Sequence, residues 1–274
     1  MTPPRSIALL AGVRNSGNLQ LMQTVAAACQ EAGLNVYEYT RDSSEVPEVL
    51  ICLGGDGTML SAATRAARKG IILGGINTGH LGFLSACARS QVAALISSLA
   101  EGTFRVEERV MLEISQQSVT SYPEPLLALN EVSLMRAQTG KMIDVDVELN
   151  GCLLNRYHAD GVLVATPTGS TAYSLSAGGP LLWPDARVIS ITPICPHSLT
   201  SRPVVVPDTM EITLRPRARR GRMEESIIYS VDGRSAHHIP VNDVLTIRRA
   251  ERPLKLLALP DNDFAVRLRA KLGW

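Results

Sequence analysis

Val49-Leu50-Ile51-Cys52-Leu53-Gly54-Gly55-Asp56-Gly57-Thr58 is an apolar run that opens into a glycine-rich turn carrying one carboxylate. Five successive apolar side chains read as a strand buried on both faces, the mark of a parallel sheet covered by helices. Residues 59–69 read as a helix, with Arg65, Arg68 and Lys69 in its last turn and Gly70 as its stop. A strand, a glycine turn and a helix aim backbone N–H groups and a helix N-terminus at one point, which suits phosphate. Eight of the 21 glycines fall between Gly54 and Gly82, and such density goes with sharp bends or close backbone approach. Asp56 is the anomaly, because a carboxylate repels phosphate unless a divalent cation stands between them or the acid takes a proton from an attacking hydroxyl. Both readings are phosphoryl transfer. The competing one is a tight turn in which Asp56 only caps the helix.

Outward from that turn, residues 7–13, 35–39 and 71–76 read as strands and 19–33 and 90–101 as helices. Strand–helix alternation of this kind predicts an α/β, doubly wound, Rossmann-like domain over residues 1–107. From about Glu108 the pattern changes. Ile143, Val145, Val147 and Leu149 alternate with Asp144, Asp146 and Glu148, and Asn150-Gly151 is a strong hairpin signal before 152–158 returns. Further short strands are expected at 161–165, 188–191, 210–215, 226–231, 244–248 and 254–259. With one helical interruption near 171–177, residues 108–259 are predicted to form an all-β sandwich. The tail, 264–272, reads as a helix.

Residues 160–180 read DGVLVATPTGSTAYSLSAGGP, a buried strand opening into a hydroxyl-rich loop and a short helix. Thr166, Thr168, Ser170 and Thr171 offer donors and acceptors for ribose, phosphate or an adenine edge, although any one of them also serves as a helix cap. Asn130-Glu131 interrupts an otherwise apolar stretch, where at most one of the pair faces the core unless the strand ends there; taken alone the pair also reads as surface decoration. No G-x-x-x-x-G-K-[ST] loop occurs, and none of the four lysines (Lys69, Lys141, Lys255, Lys271) lies in such a loop. After Gly55 and Gly57 the third glycine of the dinucleotide G-x-G-x-x-G spacing is missing, and no G-x-S-x-G nucleophile elbow is present.

Taken in order and spacing, these motifs resemble the NAD kinase family, of the ATP-NAD kinase, bacterial type. The resemblance runs from Val49 to about Asp232 and includes the Gly54–Thr58 turn, residues 76–84 (INTGHLGFL), Asn130-Glu131, residues 160–180 and 192–199, and Val231-Asp232-Gly233. It implies transfer of the terminal phosphate of ATP to the adenosine ribose 2′-hydroxyl of NAD, giving NADP, and a tail (260–274) that packs back on the first domain. It implies that Asp56 is the catalytic acid, with Gly54, Gly55, Gly57 and Thr58 as the phosphate loop. Asn130 would hold the adenosine half of NAD and Glu131 a ribose diol. Thr168, Thr171, Ala172, Tyr173 and Ser176 would surround the adenine and phosphates, Phe83 would line the adenine pocket, and Asp160 would reach the nicotinamide carboxamide. His158 stands as a further NAD contact or as a solvated strand histidine. Magnesium is implied, held through the phosphates and Asp56 with no other direct protein ligand, and so is a homotetramer or homodimer with its active site near a subunit interface.

Composition sets the outer bounds. Lys+Arg number 27 against 26 Asp+Glu, and aromatics are 4%, so neither a general field for polyanions nor a platform for stacking bases is present, and a nucleic-acid partner is not expected. Five dispersed cysteines without a C-x-x-C pair fit a reducing compartment, and no apolar run reaches the length of a membrane span, so the cytoplasm is expected and a membrane partner is not. Cys195 and His197 flank a proline and lack an oxyanion hole, His237-His238 lacks companions at metal-ligand spacing, and the run Arg215, Arg217, Arg219, Arg220, Arg222 before Glu224-Glu225 reads as a solvated hairpin tip. Two rivals share the central turn: a lipid or other small-alcohol kinase, which lacks the 160–180 run, and a non-catalytic NAD(P) sensor, which has no need of Asp56.

Overall fold

The computed structural model describes residues 1–12, 16–40, 43, 45–79, 82–119, 124–137, 142–217, 226–234, 236–260 and 263–274. Val13, Lys141, His80 and Leu81 of the 76–84 motif, and Arg219, Arg220, Arg222, Glu224 and Glu225 of the basic run lie outside the described residues. The chain divides into two compact units, Met1–Arg109 with Arg252–Trp274, and Val110–Glu251.

The first unit is built on a sheet ordered Val36–Glu38, Ile7–Ala11, Val49–Leu53, Ile72–Asn77, Leu254–Ala258, Arg105–Arg109, with Cys87–Ala88 also paired to Ile72–Asn77. All its pairings are parallel except that of Leu254–Ala258 with Arg105–Arg109. Val49–Leu53 is central and wholly buried. Val49, Ile51 and Leu53 pack with residues of the helices Ser16–Glu31 and Val92–Glu101, including Val25, Leu95 and Leu99. The alternate residues point to the other face, where helix Asp56–Lys69 buries Met59, Ala62, Ala63, Ala66 and Ala67. Small side chains bring that helix close, and a Cβ at Gly75 would meet Met59 Sδ at 2.7 Å. Gly70, at φ 70°, ends the helix in the left-handed conformation that glycine accepts without cost.

Leu254–Ala258 departs from expectation. It was assigned to the sandwich, yet it inserts between Ile72–Asn77 and Arg105–Arg109, so the chain returns to the first unit at Arg252 rather than at 260. Its apolar pattern fits any covered sheet, and only long-range pairing decides which.

The second unit stacks two six-stranded sheets. One runs Cys152–Ala159, Ile143–Leu149, Ile212–Arg217, Leu245–Arg249, Leu112–Gln116, Leu126–Ala128; the other runs Val204–Pro207, Val188–Ile194, Gly161–Ala165, Glu131–Arg136, Ile227–Val231, Ala236–His238. Inward residues of both, among them Val145, Val147, Val162, Val164, Ile191 and Leu214, form one core, which makes the unit a sandwich. Asn150 and Gly151, at φ 49° and 78°, make the tight hairpin turn. Arg215 and Arg217 are not at a hairpin tip: they lie in the strand Ile212–Arg217, beside Glu148 (3.9 Å) and Asp146 (2.6 Å). Among the described residues no helix is long and apolar enough to cross a membrane.

Candidate active site

In the first unit the glycine turn and the helix after it organise one carboxylate. The helix begins at Asp56 itself, with Gly55 as N-cap and no side-chain cap bond. The capping role for Asp56 is thereby excluded. Its carboxylate turns instead to the segment after Ile72–Asn77, where Phe83 N–H donates to Oδ2 (2.9 Å) and Leu84 N–H to Oδ1 (3.2 Å). Gly82 makes this possible, because a Cβ there would stand 1.9 Å from Asp56 Oδ1.

The turn's glycines divide by cause. At Gly54 and Gly12 a Cβ would meet Thr58 Oγ1 at 2.3 and 2.1 Å, so the hydroxyl of Thr58 packs against these two strand ends. Around Gly55 and Gly57 nothing lies within 4 Å of a Cβ, neither has a positive φ, and both are exposed. Internal packing does not require glycine there, whereas a group approaching the backbone at the helix N-terminus would. Phe83 is half-buried, its ring 6.1 Å from that of Phe264.

In the second unit, one end of the sheet collects Asn130, Glu131 and the 166–176 loop. Asn130 precedes the strand Glu131–Arg136, so the expected one-in, one-out rule does not apply to the pair: Glu131 is buried and Asn130 half-buried. Asp232, at φ 52°, accepts N–H bonds from Leu129 (3.0 Å), Asn130 (2.7 Å) and Glu131 (3.2 Å). On the other side, Thr166 N–H donates to Asn130 O (2.9 Å), Thr166 Oγ1 donates to Leu129 O (2.5 Å), and Gly169 packs so tightly on Asn130 that a Cβ would come within 2.1 Å of its carbonyl oxygen.

The hydroxyls of the loop then sort into two groups. Thr166 also accepts from Gly169 N–H, Ser170 donates to Pro167 O and accepts from Leu182 N–H, and Thr171 donates to Thr168 O. Those of Thr166 and Ser170, read from the sequence as ligand groups, are spent on the loop itself. Among the described residues, the buried side-chain oxygens without a hydrogen-bond partner are Tyr39 Oη and Ser85 Oγ in the first unit and Glu131 Oε2, Thr168 Oγ1, Ser174 Oγ and Thr192 Oγ1 together in the second. Leaving such atoms unpaired is costly, so those of the second unit mark where a polar ligand would be held. A Cβ at Gly179 would lie 2.3 Å from Ser174 Oγ and 2.9 Å from Thr192 Oγ1, which places these two side by side. Thr171 and Ala172 are half-buried, and Tyr173 and Ser176 exposed, at the mouth of this cluster.

Burial, reinforced by the neighbouring Asp232, pushes the Glu131 carboxyl up to about 7. Burial also raises Asp232, against the pull of its three N–H donors and Arg234. The Tyr173 hydroxyl is raised by desolvation and by Cys195, Asp160 and Glu131, which puts each of these three within electrostatic reach of Tyr173. Asp160 forms a two-point pair with Arg136, 2.8 Å from Nε and 3.0 Å from Nη2. His158 stands on the other sheet, 2.7 Å from Asp144, its ring 5.7 Å from that of His197.

Sequence reading assigned no role to Asp232, Arg136, Ser174, Thr192 or Arg267, although Ser174, Thr192 and Asp232 lie within the motifs 160–180, 192–199 and 231–233.

Residues 14–104 match the family model of the ATP-NAD kinase N-terminal domain and 129–259 that of the ATP-NAD kinase C-terminal domain. The NAD kinase of Flavobacterium psychrophilum is 37% identical, over 98% of this chain and 92% of its own. That of Moorella thermoacetica is 39% identical over 91% and 77%. Among solved structures, an NAD kinase from Archaeoglobus fulgidus in complex with ATP matches with a TM-score of 0.75 at 25% identity, covering 98% of this chain and 97% of that one. A yeast NADH kinase complexed with NADH shares the fold, with a TM-score of 0.86 at 24% identity.

Proposed function

The chain belongs to the NAD kinase family, and on that premise we propose that Asp56 is the base of the transfer and that the Glu131–Asp232 corner holds the adenosine ribose. The observation that carries this is the carboxylate of Asp56, fixed by two backbone N–H groups at the N-terminus of a 14-residue helix whose flanking Gly55 and Gly57 leave the backbone open.

The reaction joins the 2′-hydroxyl oxygen of the adenosine ribose of NAD to the terminal phosphorus of ATP and breaks the bond to the bridging oxygen, which leaves with its electron pair on ADP. The hydroxyl proton passes to Asp56. N–H groups at residues 55–57 and the helix dipole steady the transferring phosphoryl group. In the second unit, Glu131 and Asn130 accept and donate hydrogen bonds to the adenosine ribose, Thr168 and Ser174 supply hydroxyls, and Tyr173 and Ala172 border the base. Asp160, oriented by Arg136, meets the nicotinamide carboxamide.

Magnesium fits as part of the nucleotide substrate. Among the described residues no three His, Cys, Asp or Glu side chains converge as a metal cage, and one carboxylate plus phosphate oxygens is a donor set that magnesium accepts. It would neutralise phosphate charge beside Asp56. Five free cysteines support a cytoplasmic location. The edge strand Cys152–Ala159, with Leu153 54% and Leu154 38% exposed, supports a homo-oligomer, which light scattering would measure.

The deciding experiment pairs ATP or polyphosphate with NAD or NADH, with and without Mg²⁺, in wild type and Asp56→Asn. Wild type forms NADP from NAD, ATP and Mg²⁺. The variant keeps NAD binding and loses roughly 10²–10⁴-fold in kcat; near-normal turnover would refute the base.

A further inference from the structure

We propose that Arg267, on the C-terminal helix Phe264–Leu272, is a positioning residue that fixes Asp56 through the backbone of residues 83–85. The proposal rests on Asp56 being the base. Arg267 Nη1 donates to Phe83 O (2.7 Å) and Nη2 to Ser85 O (2.5 Å). The N–H groups of the same segment, at Phe83 and Leu84, are those that hold the two carboxylate oxygens of Asp56.

Peptide geometry makes this a relay. Phe83 O and Leu84 N–H belong to one planar peptide unit. A cation donating to that oxygen polarises the amide, so the N–H on its far side becomes a stronger donor to Asp56 Oδ1. The second bond, to Ser85 O, fixes the next part of the segment, and Phe264 touches it again through the ring of Phe83. Arginine is rarely this buried, at 8% exposure, unless an acid pairs with it. Here its hydrogen bonds go to two neutral carbonyls. Burial works against its charge, Arg109 opposes it, and Glu107 and Asp56 favour it. A guanidinium spent on carbonyls in that position suits the orientation of a loop better than ordinary helix anchoring, for which apolar contacts would suffice.

Arg267→Gln and Arg267→Lys are made in the full chain, and NADP formation, NAD affinity and melting temperature are measured. Arg267→Gln is expected to lower kcat about 10- to 100-fold, with KM and affinity for NAD little changed, and Arg267→Lys to recover part of kcat. In an Asp56→Asn background the same change is expected to cost nothing further, which a merely structural role would not produce. A folded Arg267→Gln enzyme with wild-type kcat overturns the proposal, as does an undiminished effect beside Asp56→Asn. Failure of both Arg267 variants to fold overturns it in favour of a structural anchor. Normal turnover by Asp56→Asn sinks the base assignment itself, whereas an inactive Asp56→Asn with a normal Arg267→Gln sinks only the relay.

Discussion

Gly82→Ala separates the placement of Asp56 from the integrity of the fold. The added Cβ would stand 1.9 Å from Asp56 Oδ1, 2.5 Å from Cγ and 2.7 Å from Oδ2. Non-bonded heavy atoms settle at about 3.5–4.0 Å, so the carboxylate must retreat by roughly 1.5 Å. Gly82 has no positive φ, so alanine brings no backbone strain, and the clash falls on a side chain that can rotate away. Rotation gives up the bonds from Phe83 and Leu84 N–H. Buried bonds to a charged group are worth about 1.5–3 kcal/mol each, but Asp56 is half-exposed and water takes their place, so a net loss of about 1 kcal/mol is expected. For a chain of this size that is a melting shift of about 2–4 °C. Catalysis loses far more, since a 1 Å misplacement of a reacting group costs on the order of a hundredfold. NADP formation at saturating NAD and ATP, read through an NADP-specific dehydrogenase, measures kcat; calorimetry measures NAD affinity, which is expected to hold. A kcat within twofold of wild type would refute both the placement and the role.

Glu131 ties stability to pH. Its folded value, about 7, lies above the unfolded 4.5. Between the two the folded state holds the extra proton, so stability falls as pH rises from 4.5 through 7, by an amount of order 3 kcal/mol. Glu131→Gln is expected to flatten the melting-versus-pH curve across that window, and an unchanged slope would count against the assignment. Asp232→Asn replaces an acceptor of three N–H bonds with a group that presents its own donors. It is expected to destabilise by about 2–4 kcal/mol and to weaken NAD binding; a melting curve and titration like wild type would dismiss it. Gly55→Ala meets nothing within 4 Å, so the fold is expected to change by less than about 1 kcal/mol while KM for ATP rises. An unaltered ATP KM would mean that no phosphate approaches this turn.

Much was legible locally. The helix 264–272 and the strand 161–165 keep their expected bounds, and the Asn150-Gly151 hairpin forms, because propensity, alternation and turn chemistry agree at these places. The beginning of helix Asp56–Lys69 was read three residues late, since glycines at 55 and 57 argue against helix while the dipole and the N-cap tolerate them.

Order along the chain carried the chemistry of this protein: a carboxylate in a glycine turn pointed to phosphoryl transfer, and the resemblance to the NAD kinase family, borne by that turn, the hydroxyl-rich loop and the Asn-Glu pair, named the nucleotide acceptor. Tertiary structure decided which atoms are free to do it. Only folding shows that Thr166 and Ser170 are consumed by the loop while Thr168, Ser174 and Glu131 Oε2 are left unpaired, that Asp56 is held by residues 83 and 84 rather than capping its helix, and that 254–258 joins the first sheet. Apart from the bond of Ser170 to Pro167, three positions away, these outcomes depend on hydrogen bonds and strand pairings between residues tens to nearly two hundred positions apart, as is also the case for Arg267 with Phe83. Local periodicity carries no information about partners at that range.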